Sequence, residues 1–395
     1  MFNFLRKIKR MMREYIEYFM YCLKHFYHKK KSLVWSKKPL ENKIVFCNFN
    51  GKGYGCNPKY IAEEIIHRNL NYDLVWLVSD DDYFVPKEIR KVKFFSSEAC
   101  MELSTAKIII NNVKGELNFK KRKDQFYIQT WHAGFSVKKL EKEARKSLPL
   151  SYIKESKDES KITDMIVSNS KLQSEDYKNN FWCKAEIFEC GLPRNDIYTN
   201  CNNEKYILSI KEKLSIPQHY KLLLFAPTFR GGENSYESYD FDPNVILKFL
   251  ETTRNGKWMI LSRFHPNVHI ENSLNTNNIR DVSYYSDTQD LLLISDILVT
   301  DYSSVMFEFT QMRKEVYLYI PDFDEYKKIR GFKKAFYELE LPRCKTFEEL
   351  KESIKSFDEK KYAIISEQLR KKYSEFDRGN AASLIVDRIE KIMNK

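Results

Sequence analysis

Five short polar segments carry residue types suited to proton transfer and anion binding. They are residues 129–134, 191–196, 226–232, 262–266 and 295–304. Most of them follow a run of β-branched, aromatic or other apolar residues, which is the pattern of a buried strand. Ligands of open α/β sheets bind beyond the carboxyl ends of the strands, so we expect these segments to meet at one cleft.

His132 follows the predicted strand 126–131 and precedes a basic helical run at residues 138–142. A histidine in this place can act as a general base, because its pKa lies near the working pH. The alternative is a histidine that only caps or packs, and both interpretations stand on this segment alone.

Two segments of the second half bring arginine and histidine to strand ends. Arg230 precedes two glycines. Arginine can bind phosphate through two N–H groups, and glycines let the backbone approach it closely. Arg263 and His265 stand two residues apart and share a face if the strand persists. For Arg230 the alternative is an ordinary loop at the end of a strand. For Arg263 and His265 it is a salt-bridged edge of the sheet.

The last segment places hydroxyls and carboxylates between a buried strand and a helix start. Ser303 and Ser304 suit N-cap positions, and the free N–H groups there favour a phosphate. Capping without a ligand is the alternative. Arg194 and Asp196 lie in a segment that by itself reads as a surface turn.

Metal-site patterns are weak in this chain. The acidic runs at 80–82 and 322–324 are more typical of solvated turns, and the eight cysteines form no CxxC pair. We expect no metal and no cofactor.

Strand-like and helix-like patterns alternate twice along the chain, which predicts an α/β fold with parallel sheets. The predicted strands are residues 43–50, 73–79, 107–112, 126–131, 165–169, 221–229, 258–264, 297–301 and 315–320. A polar stretch near 197–205 separates two doubly wound halves that face a cleft. The length of 395 residues fits two domains.

The excess charge sits in an N-terminal tail. The chain carries +12 overall, of which residues 1–38 hold +9 and the remainder +3. This distribution argues against a nucleic-acid binder, which carries its charge on the folded domain. No apolar run reaches the roughly 18 residues that span a bilayer.

Apolar residues recur in this tail at three- and four-residue steps, as on one face of an amphipathic helix. The pattern predicts contact with an anionic membrane surface; a helix packed on the body or on a partner chain is the alternative. The membrane-facing basic residues are predicted to be Arg6, Lys7, Lys9, Arg10 and Arg13.

Read together, the five segments resemble the CDP-glycerol glycerophosphotransferase family of teichoic acid and capsule synthesis. The resemblance spans roughly residues 43–385. Its most specific part is Thr-Asp-Tyr-Ser-Ser at 300–304 with Arg-Phe-His-Pro at 263–266 upstream. The chain departs from the family's usual Trp-His-Gly-Thr, since Ala133 and Gly134 follow His132.

The resemblance implies a GT-B fold of two Rossmann-like domains. After the basic amphipathic segment (1–40) that the charge and periodicity predict, the expected division is an acceptor domain (41–200), a nucleotide-donor domain (201–375) and a C-terminal helix (376–395). The resemblance also implies a peripheral protein on the cytoplasmic face of the cell membrane.

The implied reaction transfers a polyol phosphate from CDP-glycerol or CDP-ribitol to a lipid-linked glycan acceptor and releases CMP. The resemblance assigns catalysis to His132 and His265 and leaves Arg194, Asp196 and Arg263 as residues that shape the site. The residues that it assigns to the donor diphosphate are Arg230, His265, Thr300, Asp301, Ser303 and Ser304.

Three other functions compete with this interpretation. One keeps the fold but uses a nucleotide sugar as a GT-B glycosyltransferase, and one is a catalytically silent membrane-associated scaffold. Nucleic-acid binding is the third. The sequence leaves a homo-oligomer open.

Overall fold

A computed structural model describes residues 2–115, 117, 119–200, 204–228, 241–264 and 278–394. The first half of the chain forms a seven-stranded parallel sheet with the order β3-β2-β1-β4-β5-β6-β7. Its strands are β1 (Glu41–Cys47), β2 (Asp73–Val78), β3 (Arg90–Lys93), β4 (Ala106–Asn111), β5 (Phe126–Gln129), β6 (Met165–Ser168) and β7 (Glu186–Glu189).

The second half forms a six-stranded parallel sheet with the order β10-β9-β8-β11-β12-β13. Its strands are β8 (Lys221–Phe225), β9 (Trp258–Ser262), β10 (Ile279–Asp281), β11 (Ile297–Thr300), β12 (Glu315–Tyr319) and β13 (Arg343–Cys344). The predicted α/β fold with parallel sheets is therefore confirmed. All nine predicted strands are present within a few residues of their predicted bounds.

Helices connect the strands and cover the sheets. Those of the first half are α1 (Phe2–Trp35), α2 (Cys56–His67), α3 (Ser97–Thr105), α4 (Leu150–Ser160), α5 (Lys171–Asn180) and α6 (Asp196–Asn200). The later ones are α7 (Glu204–Lys213), α8 (Pro243–Thr253), α9 (Thr288–Ile294), α10 (Val305–Gln311), α11 (Phe323–Arg330), α12 (Lys334–Tyr337), α13 (Phe347–Lys355), α14 (Glu359–Tyr373) and α15 (Ala381–Met393). Short 3₁₀ turns lie at Phe49–Gly51 and Pro193–Asn195.

The C-terminal helix α15 returns to the first sheet. Its apolar face, with Ile385, Val386 and Ile389 fully buried, joins the core formed by β1, β2, β4 and α2. The chain thus crosses from the second sheet back to the first just before α15, and this crossing ties the two halves together near residues 374–380.

Helix α1 is packed at its C-terminal end and exposed before it. Ser32 is buried and accepts a hydrogen bond from the Lys120 amide at 3.1 Å. Further towards the N-terminus an apolar stripe is about half to three-fifths exposed, and it comprises Met12, Tyr15, Ile16, Phe19, Leu23 and Phe26.

Arg13 pairs with Glu17 at 2.9 Å. The side chains of the other predicted membrane residues lie outside the described part of the chain: Arg6, Lys7, Lys9 and Arg10. Among the described residues no helix has both the length and the apolar character needed to cross a bilayer. Contact of α1 with a membrane stays a prediction.

Candidate active site

His132 lies just beyond β5, at the carboxyl edge of the first sheet. Its ring lies 4.4 Å from that of Trp131 and 5.4 Å from that of Phe49, centroid to centroid. The ring nitrogen Nδ1 is 2.9 Å from the carbonyl oxygen of Asn112, which follows the neighbouring strand β4. A carbonyl only accepts, so Nδ1 carries the hydrogen and Nε2 of the neutral ring keeps its lone pair.

The surroundings keep this ring neutral. Burial lowers the pKa of His132 from 6.5 to about 4, the Asn112 carbonyl opposes the shift, and the positive charges of Arg194 and Lys138 add to it. An imidazole with its lone pair on Nε2 accepts a proton from a hydroxyl placed beside it. The geometry therefore suits a general base.

The loop of residues 130–132, which we call the base loop, is held in a conformation that needs support. Trp131 has a φ of 53°, in the left-handed region that a bulky residue rarely adopts. The side-chain amide of Asn57 donates to the carbonyls of Thr130 and Trp131 at 3.2 and 2.9 Å. Arg194 donates from Nη1 to the carbonyl of His132 at 2.7 Å.

Two of the residues assigned to the donor diphosphate instead join strand ends within the protein. The Thr300 hydroxyl donates to the carbonyl of Ala226 at 2.7 Å. Asp301 is fully buried, and its carboxylate accepts from the Thr228 amide at 2.8 Å. These side chains fix the exit of β11 against the exit of β8 and so shape the loop; their contact with the donor diphosphate stays a prediction.

Ser303 and Ser304 are partly exposed at the start of α10. Ser304 occupies the N-cap position, but its backbone is helical and its side chain makes no capping hydrogen bond. The expectation that Ser304 caps the helix through its hydroxyl is therefore wrong.

Arg263 and Asp196 both bind protein groups. The Arg263 guanidinium donates to the carbonyls of Val282 and Tyr285 at 3.2 and 2.6 Å, and burial lowers its pKa to about 10. Asp196 accepts from the amides of Ala381 and Ala382 at 3.0 and 2.8 Å and so caps α15. Asp196 thus anchors the returning helix, and its role in shaping the site stays a prediction. Arg230 and His265 lie outside the described residues.

The acidic run at 80–82 forms a turn, whereas Asp322 directly precedes α11 and Asp324 lies in its first turn. In residues 80–82 the Asp80 carboxylate accepts from the Asp82 amide at 3.1 Å. Asp322 accepts from the Tyr302 hydroxyl at 3.2 Å. Within the described ranges no three His, Cys, Asp or Glu side chains gather as a metal site would require.

Sequence reasoning missed a set of buried polar residues that join the two halves. Asp377 accepts from the Leu192 amide at 2.7 Å and from three side-chain amides, those of Asn169, Asn195 and Gln311. Glu308 of α10 pairs with Arg194. One signal in the sequence could have revealed Glu308: it is a single acidic residue within an apolar helix, Val-Met-Phe-Glu-Phe at 305–309.

The approach of the halves is close elsewhere too. Lys59 of α2 pairs with Asp287 at 2.6 Å. A Cβ on Gly53 or Gly55 would lie 2.9 Å from an atom of Ser286, so the backbone before α2 meets the segment before α9 at a distance that only glycine permits.

Comparison with known proteins identifies the family. Residues 30–391 match the family model described as CDP-glycerol:poly(glycerophosphate) glycerophosphotransferase. The chain is 32% identical to a teichoic acid poly(glycerol phosphate) polymerase of Staphylococcus epidermidis over 88% of this chain and 50% of that protein. It is 34% identical to a teichoic acid glycerol-phosphate transferase of Staphylococcus aureus over 78% of this chain and 81% of that one.

The solved structure of the wall teichoic acid polymerase TagF superimposes with a TM-score of 0.80 at 28% identity, covering 100% of this chain and 98% of that one. The chain spans about half the length of the Staphylococcus epidermidis and Bacillus subtilis polymerases that it matches. The family predicted from the strand-end motifs is thus confirmed: the chain belongs to the CDP-glycerol:poly(glycerophosphate) glycerophosphotransferase family.

Proposed function

We propose that this chain transfers glycerol phosphate from CDP-glycerol to a hydroxyl of a lipid-linked glycan acceptor and releases CMP, in teichoic acid or capsule synthesis. The observation that carries the proposal is His132, whose Nδ1–H bond to the Asn112 carbonyl leaves Nε2 as a proton acceptor within a family of transferases. The TagF structure has also been studied with CDP-glycerol.

In the proposed reaction the acceptor hydroxyl attacks the β-phosphorus of CDP-glycerol, and the bond from that phosphorus to the CMP oxygen breaks. His132 Nε2 takes the hydroxyl proton, a contribution of ~10²–10⁴ in rate. Phosphoryl transfer otherwise depends on in-line positioning and on neutralised phosphate oxygens. The two halves form a GT-B arrangement in this proposal, with the donor held by the second.

The donor diphosphate is proposed to contact Arg230, His265, Ser303 and Ser304. Arg263 is engaged by the carbonyls of Val282 and Tyr285. Arg230→Ala and His265→Ala should therefore weaken CDP-glycerol binding in calorimetry at least tenfold. Arg370→Ala, on the surface of α14 where Arg370 pairs with Glu367, is the matched control. Unchanged donor affinity in both test variants would contradict this assignment.

The decisive experiment supplies purified protein with CDP-glycerol, CDP-ribitol or a panel of nucleotide sugars, with bacterial membranes as acceptor source. CMP release from CDP-glycerol, lost in His132→Ala but kept in His67→Ala, is the expected result. His67 is an exposed histidine at the end of α2, so it controls for the loss of an imidazole.

Two other outcomes would reassign the donor. CMP release from CDP-ribitol alone would make this a ribitol-phosphate transferase, an alternative favoured by a 28% identical poly(ribitol-phosphate) polymerase of Bacillus spizizenii. Release of a nucleoside diphosphate from a sugar donor alone would make it a glycosyltransferase.

We also propose that α1 holds the protein on the cytoplasmic face of the cell membrane. The support is its exposed apolar stripe beside a concentration of basic residues. Ile16→Ser/Phe19→Ser/Leu23→Ser should abolish sedimentation with phosphatidylglycerol vesicles, while Phe84→Ser, at an exposed site in the first half, should not. Equal sedimentation of both variants would contradict the proposal.

A further inference from the structure

The base loop is held by two side chains that act on successive carbonyls. Asn57 binds those of Thr130 and Trp131, and Arg194 binds that of His132. Asn57 also accepts from the Arg194 amide at 3.1 Å, so the two side chains form one network. All of these contacts come from the first half of the chain.

The same guanidinium reaches the second half. Nη2 of Arg194 donates to Glu308, which lies on α10 one turn after Ser303 and Ser304. The other carboxylate oxygen of Glu308 accepts from Gln289 of α9 at 2.7 Å. Arg194 and Glu308 are 5% and 1% exposed, so water does not compete for these contacts.

A buried ion pair is an inefficient way to stabilise a fold. Removing two charges from water largely offsets their attraction, and apolar residues of similar volume often replace such a pair without loss of stability. Apolar residues cannot, however, donate to the His132 carbonyl while holding α10. The stability of the fold does not require one side chain to bind both the His132 carbonyl and Glu308, as Arg194 does.

We propose that Arg194 is a positioning residue that fastens the base loop to α10 and so sets the place of His132 relative to the turn at Ser303 and Ser304. The inference rests on the proposed function, in which His132 is the base and that turn meets the donor. A displacement of about 1 Å between reacting groups lowers a rate by about 10²-fold, which sets the size of the expected effect.

The test separates positioning from stability by replacing the whole pair. Arg194→Met/Glu308→Met should stay folded, with a melting temperature lowered only by the lost donor to the His132 carbonyl and the lost acceptor of the Gln289 amide, and should bind CDP-glycerol with a Kd within about threefold. Its kcat for CMP release should nevertheless fall about 100-fold. Arg194→Lys keeps the charge but loses the fork of donors, and its kcat should fall at least tenfold with KM nearly unchanged.

Lys59→Met/Asp287→Asn is the matched control, because it also neutralises a whole buried pair while Asn keeps the cap of α9. Lys59 and Asp287 form another buried ion pair between the halves, but Lys59 contacts Asp287 and Tyr60 instead of the base loop. This variant should keep the wild-type kcat.

The outcomes separate the inference from the function on which it rests. A wild-type protein that releases no CMP from any CDP-polyol overturns the proposed function. An active wild type together with wild-type kcat in Arg194→Lys, or in a folded double variant, overturns the positioning role. A kcat that falls equally in Lys59→Met/Asp287→Asn also overturns the positioning role, because the effect would then belong to contact between the halves in general.

Discussion

The acid limb of the pH–rate profile tests the proposed base directly. Burial, assisted by the charges of Arg194 and Lys138, lowers the pKa of His132 from 6.5 to about 4. A base works only when unprotonated, so activity should persist above this pKa and be lost as the pH falls through it. At pH 5 a group with a pKa of 4 is about 90% unprotonated, whereas one with a pKa of 6.5 is about 3% unprotonated.

We therefore expect kcat/KM for CMP release to change less than about twofold between pH 7.5 and pH 5, since kcat/KM reports the pKa of the free enzyme. Lys138→Met removes one of the positive charges that lower the His132 pKa, so its acid limb should move to higher pH. Circular dichroism at each pH confirms that the fold is intact. A wild-type limb centred near pH 6.5, or a Lys138→Met limb that stays in place, would refute the reasoning.

Three further predictions follow from single contacts. Asn57→Ala should lower kcat more than donor affinity and lower the melting temperature, because two buried carbonyls of the base loop lose their donor at about 1–3 kcal/mol each; equal losses of kcat and donor affinity would contradict it. Gly191→Ala should prevent folding or cost several kcal/mol by thermal melting, because the new Cβ would lie 2.5 Å from the Phe376 carbonyl oxygen at a φ of 93°; a wild-type melting temperature would contradict it. Burial raises the pKa of Asp196 from 3.8 to about 6, so wild-type stability should fall as the pH rises from about 4 to 6. Asp196→Asn should remove that part of the decline, measured as protection from hydrogen exchange in α15 at pH 4 and pH 7 relative to the intrinsic exchange rates. Parallel profiles for both proteins would contradict it.

The strands that sequence reasoning found and missed differ by position in the sheet. The nine predicted strands include every interior strand, and interior strands such as β1 and β11 read as apolar runs because both of their faces are buried. The four missed strands, β3, β7, β10 and β13, are the edges of the two sheets. Edge strands are short and mostly polar, as in Arg-Lys-Val-Lys of β3. They therefore show neither the apolar run nor the apolar–polar alternation by which a strand is predicted from sequence.

The site divides in a similar way. The sequence placed His132 beyond a strand, and the family resemblance predicts its role as a base. It could not show that the Asn112 carbonyl fixes the ring's tautomer, because that contact joins the ends of two neighbouring strands 20 residues apart. Nor could it distinguish Asp196, which caps a helix 185 residues later, from a side chain that faces a ligand.

Polar residues at strand ends therefore indicate where the candidate site lies, but they do not by themselves show which side chains contact a ligand. Arg194, Asp196, Arg263 and Asp301 all follow strands, and each has its charged group against another part of the protein. Of these four, Arg194 reaches the other half through Glu308 and so helps to fix the approach of the two halves, whereas Asp301 and Arg263 bind groups of their own half and Asp196 caps α15. A transferase that aligns an acceptor hydroxyl with a phosphorus held on the other half depends on that approach as much as on its base. Arg194, which is buried between the halves and holds the base loop, thus belongs to the chemistry through alignment, and its loss should appear in kcat before it appears in donor affinity.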